Sequence, residues 1–263
     1  MKITIFTSNK PRHNYLINFL AKNCKKLFVI QECSTIFPGY LNGIYPMGTQ
    51  MRKYFKNVHL AEKKIFGNQK ISGKNINIFP IQAGDLNLIK LKDINSFLQS
   101  DLYIVFGSSY IKGNLVNFLI KKKAINIHMG TSPYYRGTDC NFWAMQDNNP
   151  QLVGATIHFL SKGLDSGKII ANAISEEFRN PFIYTMSTVK SAFFLIRELI
   201  NDKNFKNIKG VKQNKELEIR YSRKSEFNEN IIKLFFKKKK KILIKKKYLL
   251  INTFKLKKDK FFL

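Results

Sequence analysis

"DLYIVFGSSYIKGNLVNFLIKKKAINIH", residues 101–128, decides the fold. It opens on a β-rich apolar run that ends in small residues, "DLYIVFGSS" (101–109). "KGNLVNFLIKK" (112–122) then carries helical apolar spacing, and "AINIH" (124–128) is strand-like again. A strand, a helix and a second strand in so short a span form a crossover unit, which places the two strands side by side and parallel.

The same alternation extends outward in both directions. Upstream are "KITIFTS" (2–8), a helix over "PRHNYLINFLAKN" (11–23), "KLFVIQE" (26–32), a charged helix over 48–66 and "NINIFPI" (75–81). Ser8 or Asn9 is expected to cap the first helix, with Pro11 in its first turn. "GDLN" (84–87) is expected as a capping turn, and "LIKLKDINSFLQS" (88–100) as a helix. Downstream, "LVGATIHFL" (152–160) and "KIIANAIS" (168–175) make a strand pair joined by "SKGLDSG", and 182–202 a packing helix. The expected fold is α/β and Rossmann-like: an open, mostly parallel sheet with helices on both faces. In such sheets sites form beyond the carboxyl ends of the strands.

Residues 1–204 are expected as one domain and 205–263 as a short basic C-terminal appendage. Within the appendage, "GVKQNKELEIRYSRKSEF" (210–227) reads as a loop with a short strand. Beyond it, apolar clusters alternate with Lys runs at Lys237–Lys241 and Lys245–Lys247, as in a terminal segment partly ordered against the core. Across 263 residues the formal net charge is +29. Such a field favours anionic partners, although Lys, Asn, Ile and Phe crowd the whole chain as a compositional bias would have them. No apolar run reaches the roughly 18–20 residues of a membrane span, and "MKITIFTSNK" reads as a core strand and not as a secretion signal. A cytoplasmic protein without a membrane partner is expected. Cys24, Cys33 and Cys140 are odd in number and far apart, which suits buried reduced thiols and neither a disulfide framework nor a metal knuckle.

The second strand of the opening stretch ends in Asn126 and His128, which share a face because strand side chains alternate. A loop, "MGTSPYYRG" (129–137), follows, and Asp165 lies in the Gly-flanked loop between the later strands. An amide, an imidazole and a carboxylate suit acyl transfer to an amine. The amide and a protonated imidazole stabilise the developing oxyanion, and the carboxylate takes the proton. That carboxylate is also expected to keep His128 cationic. His158 is expected in a packing or supporting role, Trp143 as a core anchor, and His13 either at the surface or against an anionic group.

The spacing Asn-x-His, then Pro133 and Gly137, followed by "GATIH" and "GLDSGKII", resembles the catalytic domain of the folate-dependent formyltransferases. That family includes the glycinamide ribonucleotide, methionyl-tRNA and sugar-nucleotide N-formyltransferases, and the resemblance runs over about residues 1–200. It implies Asn126, His128 and Asp165 as the catalytic trio and 10-formyltetrahydrofolate as donor, with no metal. The donor is expected against Phe106, Gly107, Ser108, Ser109, Tyr110 and Ile111, with Gly163 and Leu164 opposite. Arg12, Met129, Gly130, Thr131, Tyr135 and Arg136 are expected on the acceptor side, Arg136 toward a phosphate.

Departures from the family pattern bear on the acceptor, a small amine expected to be phosphorylated. "MGTSP" replaces the usual Pro-Ser-Leu-Leu-Pro, and "TSNKPRHN" lacks the glycine-rich phosphate turn of the purine-pathway enzymes. The segment after 204 is shorter than the C-terminal barrel of the methionyl-tRNA enzymes, so tRNA stays open but is not favoured. An amino-sugar nucleotide is the leading expectation. A formyltetrahydrofolate hydrolase and a non-catalytic nucleic-acid-binding protein on the same fold are the alternatives.

Overall fold

The computed structural model describes residues 1–33, 48–203, 205–238 and 248–256. The chain order begins β1 (Lys2–Ser8), α1 (Pro11–Ala21), β2 (Lys26–Cys33), α2 (Thr49–Phe66) and β3 (Ile76–Gln82). β4 (Leu102–Phe106), α3 (Gly113–Lys121) and β5 (Ile125–His128) are the crossover unit of residues 101–128. Then come β6 (Tyr135–Gly137), α4 (Cys140–Gln146), β7 (Ala155–Phe159), β8 (Ile169–Ser175) and α5 (Pro181–Asn201). β9 (Arg220–Ser222), α6 (Glu229–Lys237) and β10 (Phe254–Leu256) complete the described elements.

The main sheet runs β10-β8-β7-β5-β4-β1-β2-β3. β1 sits between β2 and β4, parallel to both, and all but its first residue are buried. Burial on both faces is why it reads as a continuous apolar run and not as an alternation. β7 is antiparallel to β5 and to β8, the return that the strand pair predicted. β3, at the edge, is largely exposed and carries Pro80, which the missing N–H confines to such a position. One face packs α1, α2 and α5 around Leu16, Leu20, Phe66, Phe193 and Ile196; the other packs α3 and the 91–98 segment around Phe6, Tyr103 and Leu119. The expected fold class is the observed one.

Three local expectations differ. Residues 91–98 are 3-10 turns kinked at Ile94 (φ −117°), not an α-helix. Two tertiary hydroxyls explain this, since the Phe97 carbonyl accepts from Thr4 and the Leu98 carbonyl from Tyr103. α1 starts after Lys10 with no side-chain cap; instead the Glu62 carboxylate accepts from the Arg12 backbone N–H at 3.1 Å. Of the cysteines only Cys140 is buried, Cys24 and Cys33 being half-buried.

Residues 205–238 and 248–256 pack on this frame. β9 pairs in parallel with β6, and β10 pairs with β8 at the end of the main sheet. Glu229 of α6 accepts from the backbone N–H groups of Gln50 and Met51 at 2.6 and 3.0 Å, so α6 supplies the N-terminal cap that α2, entered from Gly48, lacks. Tyr54, Phe142, Phe182, Phe227 and Phe235 form one aromatic cluster joining α2, α4, α5 and α6. Of the Lys-rich runs, residues 239–247 lie outside the described residues. Among the described residues no helix is long and apolar enough to cross a membrane.

Candidate active site

β5 is only four residues long, and its register against β7 pairs Asn126 with His158 and His128 with Thr156. Asn126 and His128 therefore project from one face at the carboxyl end of the strand. The β7–β8 loop brings Asp165 over them. Its backbone is left-handed (φ +47°), a conformation that costs most residues about 1 kcal/mol or more and that Asp and Asn tolerate best. The Gln213 amide holds that turn by donating to the carbonyls of Asp165 and Gly167, each at 2.8 Å.

The three groups touch. His128 Nδ1 lies 3.3 Å from Asp165 Oδ2, and Asn126 Nδ2 donates to Asp165 Oδ1 at 3.4 Å. Asn126 Nδ2 also lies 3.1 Å from His158 Nε2, while His158 Nδ1 faces the Phe159 carbonyl at 2.8 Å. That carbonyl can only accept, so His158 carries a proton on Nδ1. His158 orients the amide, a role in keeping with its expected supporting place.

His128 faces oxygen acceptors on both ring nitrogens, Asp165 on one side and the Tyr135 carbonyl at 3.3 Å on the other. Burial nonetheless pushes its pKa below the ordinary histidine value, outweighing the upward pull of Asp165 and of that carbonyl. The expectation that Asp165 keeps His128 cationic is thereby corrected: removal from water penalises the imidazolium more than one carboxylate repays. Burial also works to raise the Asp165 carboxyl, but His128 and His158 together hold it below the usual carboxylate range. The resting pair is a neutral imidazole beside a carboxylate.

A cleft of about 710 Å³ opens over these groups. Its apolar lining includes Val105, Phe106, Ile111, Leu160 and Leu164. All eight residues expected around the donor, Phe106 to Ile111 with Gly163 and Leu164, line this cleft. Two side chains that sequence reading missed hold the 107–112 rim. Glu32, buried at the end of β2, accepts from the backbone N–H of Gly84 and of Ser109. Asn87 donates to the Tyr110 carbonyl at 2.8 Å and accepts from the Lys112 N–H at 2.7 Å. Asn87 thus ties the rim and does not cap a helix. Across the cleft the Tyr110 hydroxyl donates to the Lys162 carbonyl. A hollow of about 880 Å³ at the other end of the strands, near Lys2, Asp101 and Lys122, holds none of these groups.

The acceptor-side expectations divide. Arg12 and Met129 line the cleft, as do Gly137 and Thr138. Arg12 is already committed to the buried Glu62 carboxylate, at 2.7 Å. Gly130, Thr131, Tyr135 and Arg136 stand behind the wall instead of in it. Thr131 is fully buried and donates to the Leu152 carbonyl. A β-carbon on Gly130 would come within 2.5 Å of both His128 Nε2 and the Cys140 β-carbon, so this glycine permits close packing behind the histidine. Arg136 is engaged by Glu218 at 2.8 Å and the Leu164 carbonyl at 2.9 Å through its two terminal nitrogens, and its Nε is buried, so the expected place toward a phosphate is taken by these partners. His13, 2 % exposed, is no surface residue; burial pushes its pKa well down, and it packs on Phe106 with both ring nitrogens unpartnered. Tyr221, from β9, lines the cleft although nothing in its own sequence neighbourhood marks it.

The sequence model of the family described as Formyl transferase matches residues 61–180, the span holding the crossover unit, Asn126, His128 and Asp165. Over these residues the chain carries the sequence pattern of the formyl transferase family. The family draws its formyl group from tetrahydrofolate derivatives, and this chain is an enzyme of that class. No curated protein matches the chain. Among solved structures, the fold is similar to a 4-N formyltransferase from Francisella tularensis (21% identity, TM-score 0.53, covering 86% of this chain and 77% of that one). It is also similar to a sugar N-formyltransferase from a Shewanella species (18% identity, TM-score 0.54, 86% and 78% covered). A phosphoribosylglycinamide formyltransferase from Anaplasma phagocytophilum is similar over a shorter part (16% identity, TM-score 0.51, 77% and 88% covered). At these identities the likeness is one of fold.

Proposed function

We propose that this enzyme moves a formyl group from 10-formyltetrahydrofolate to the primary amine of an amino-sugar nucleotide, with Asn126, His128 and Asp165 as its catalytic residues. The observation that carries the reading is the contact of those three side chains, at 3.3 and 3.4 Å, on the floor of the cleft. The donor supplies an activated formyl carbonyl. The apolar lining of the cleft, with backbone polar groups along 107–111, suits a flat pterin.

To stabilise the negative charge that develops on the formyl oxygen as the amine nitrogen attacks, Asn126 and His128 each turn an N–H to it from the acceptors they face in this structure, Asp165 and His158 for the amide, Asp165 and the Tyr135 carbonyl for the ring. The Asp165–His128 pair takes the proton that the amine loses and returns it to the nitrogen from which the formyl group departs. A neutral resting imidazole fits this work, because the pair can gain that proton with acceptors already facing both ring nitrogens. The choice of acceptor has separate support. The sugar N-formyltransferase likeness spans 86% of this chain, against 77% for the phosphoribosylglycinamide enzyme.

The test is a formyl-transfer assay with 10-formyltetrahydrofolate against 3- and 4-amino-sugar nucleotides, glycinamide ribonucleotide and methionyl-tRNA. Turnover is expected with an amino-sugar nucleotide. His128→Ala and Asp165→Asn are each expected to lower kcat by about a hundredfold or more. Asn is chosen at 165 because it tolerates the left-handed backbone. Near-normal turnover in either folded variant would remove the assigned roles, and turnover with glycinamide ribonucleotide or tRNA alone would replace the acceptor.

A further inference from the structure

We infer that Tyr221 is the platform on which the planar base of the acceptor stacks, and so the residue that selects a nucleotide-linked amino sugar; this rests on the acceptor class proposed above. Three observations lead there. First, Tyr221 lines the cleft together with Gly137 and Thr138. Its strand pairs with β6, with Tyr221 opposite Arg136, and β6 follows directly from the loop that leaves His128. The ring therefore stands on the side of the cleft built by β6 and the loop after His128, where the acceptor residues are expected.

Second, one face of the ring is taken by the Arg136 guanidinium, 5.5 Å from the ring centre. That guanidinium cannot swing away, being held by Glu218 and the Leu164 carbonyl. Tyr221 is still 43% exposed, which leaves area for a second flat partner. An aromatic ring with a fixed cation on one face stacks readily against a heteroaromatic base, a contact that every base can make.

Third, the ring's support is rigid. Neighbouring Arg220 grips Asp147 through two bonds of 2.9 and 3.1 Å and lies over the Trp143 ring at 4.3 Å. Ser222 is buried and donates to the carbonyls of Arg136 and Thr138. A platform clamped on both sides loses little freedom when a ligand arrives, which is how preorganisation raises affinity. Tyr221 also lies outside the span matched by the family model, where a residue choosing among acceptors is free to differ from one enzyme to the next.

The experiment compares wild type, Tyr221→Phe and Tyr221→Ala on two acceptors carrying the same amino sugar. One is its nucleoside diphosphate derivative and the other its 1-phosphate, which lacks the base. Tyr221→Ala is expected to shrink the preference in kcat/KM for the nucleotide-linked acceptor by about ten- to a hundredfold, mostly through KM. Tyr221→Phe, which keeps the ring, is expected to retain the preference. Competitive inhibition by the free nucleoside diphosphate should weaken in parallel, and circular dichroism checks that each variant is folded. An unchanged preference in Tyr221→Ala, or a rise in donor KM instead of acceptor KM, would overturn the platform. Wild type that formylates neither acceptor would overturn the acceptor class and the platform with it, an outcome distinct from losing the platform alone.

Discussion

The two rims of the cleft are built on different principles. The 107–112 rim is held by side chains that reach in from elsewhere, Glu32 and Asn87, each bonding to backbone groups. The 129–138 rim is held by the molecule's framework. Its Gly130 carbonyl and Ser132 N–H both bond to Thr156 of β7, its Tyr135–Gly137 strand pairs with β9, and its aromatic residues are buried. The first rim is fixed by a few side-chain bonds to its backbone, whereas the second is continuous with the sheets. The difference suits the proposed roles, a donor side beside the 107–112 rim and an acceptor side whose wall holds His128 in place.

The severest way to break this comparison is Gly137→Ala. Gly137 has a left-handed backbone (φ +92°), and a β-carbon there would sit 2.1 Å from the Ser222 carbonyl oxygen. Strain and the parting of β6 from β9 are expected to cost about 3 kcal/mol or more, read as a lower urea midpoint together with lost activity. A fully stable variant would show that the framework rim is not continuous with the core. Asn87→Ala on the other rim is expected to raise the donor KM about tenfold, matching the loss of one or two hydrogen bonds to backbone, with little change in melting temperature. A large drop in melting temperature would make the two rims alike.

The smallest effect expected is a gain. Burial pushes the Asp139 carboxyl up to about 6, against the opposing pull of Lys10 and Lys224. A carboxyl raised in the folded state favours folding at acid pH, where it is protonated in both states, and that contribution is lost as pH rises from about 4 through 6. Asp139→Asn removes the penalty, and Asn suits the left-handed backbone there (φ +55°). Thermal melts at pH 7.5 should show a gain on the order of 1 kcal/mol that shrinks toward pH 4. A loss of stability at pH 7.5 would show that the ionised carboxylate is needed by the rim.

Local pattern made much of this protein legible. The alternation of apolar runs and helical spacing placed β1, α1, β2, α2, β4, α3 and β5 nearly to the residue. Strand periodicity put Asn126 and His128 on one face, and the resemblance to a family supplied Asp165, whose contact with both is a product of the fold. The failures share a cause. The 91–98 segment has helical spacing, but hydroxyls from Thr4 and Tyr103 occupy carbonyls that an α-helix would have used. His128 was read as an ion because its neighbour is written in the sequence while its dehydration is not. Arg136 was read as free because Glu218, its partner, lies 82 positions away.

By itself, then, the sequence determined what depends on neighbours along the chain: the crossover units, the strand-end position of Asn126 and His128, and the chemical kinds present. The tertiary structure alone decided which charges are spent, which histidine burial pushes toward the neutral form, and that a strand after residue 205 sets Tyr221 in the cleft with Asn126, His128 and Asp165. The physical reason is that backbone periodicity is a local property, whereas burial and hydrogen-bond partnership belong to residues that meet only when the chain has folded.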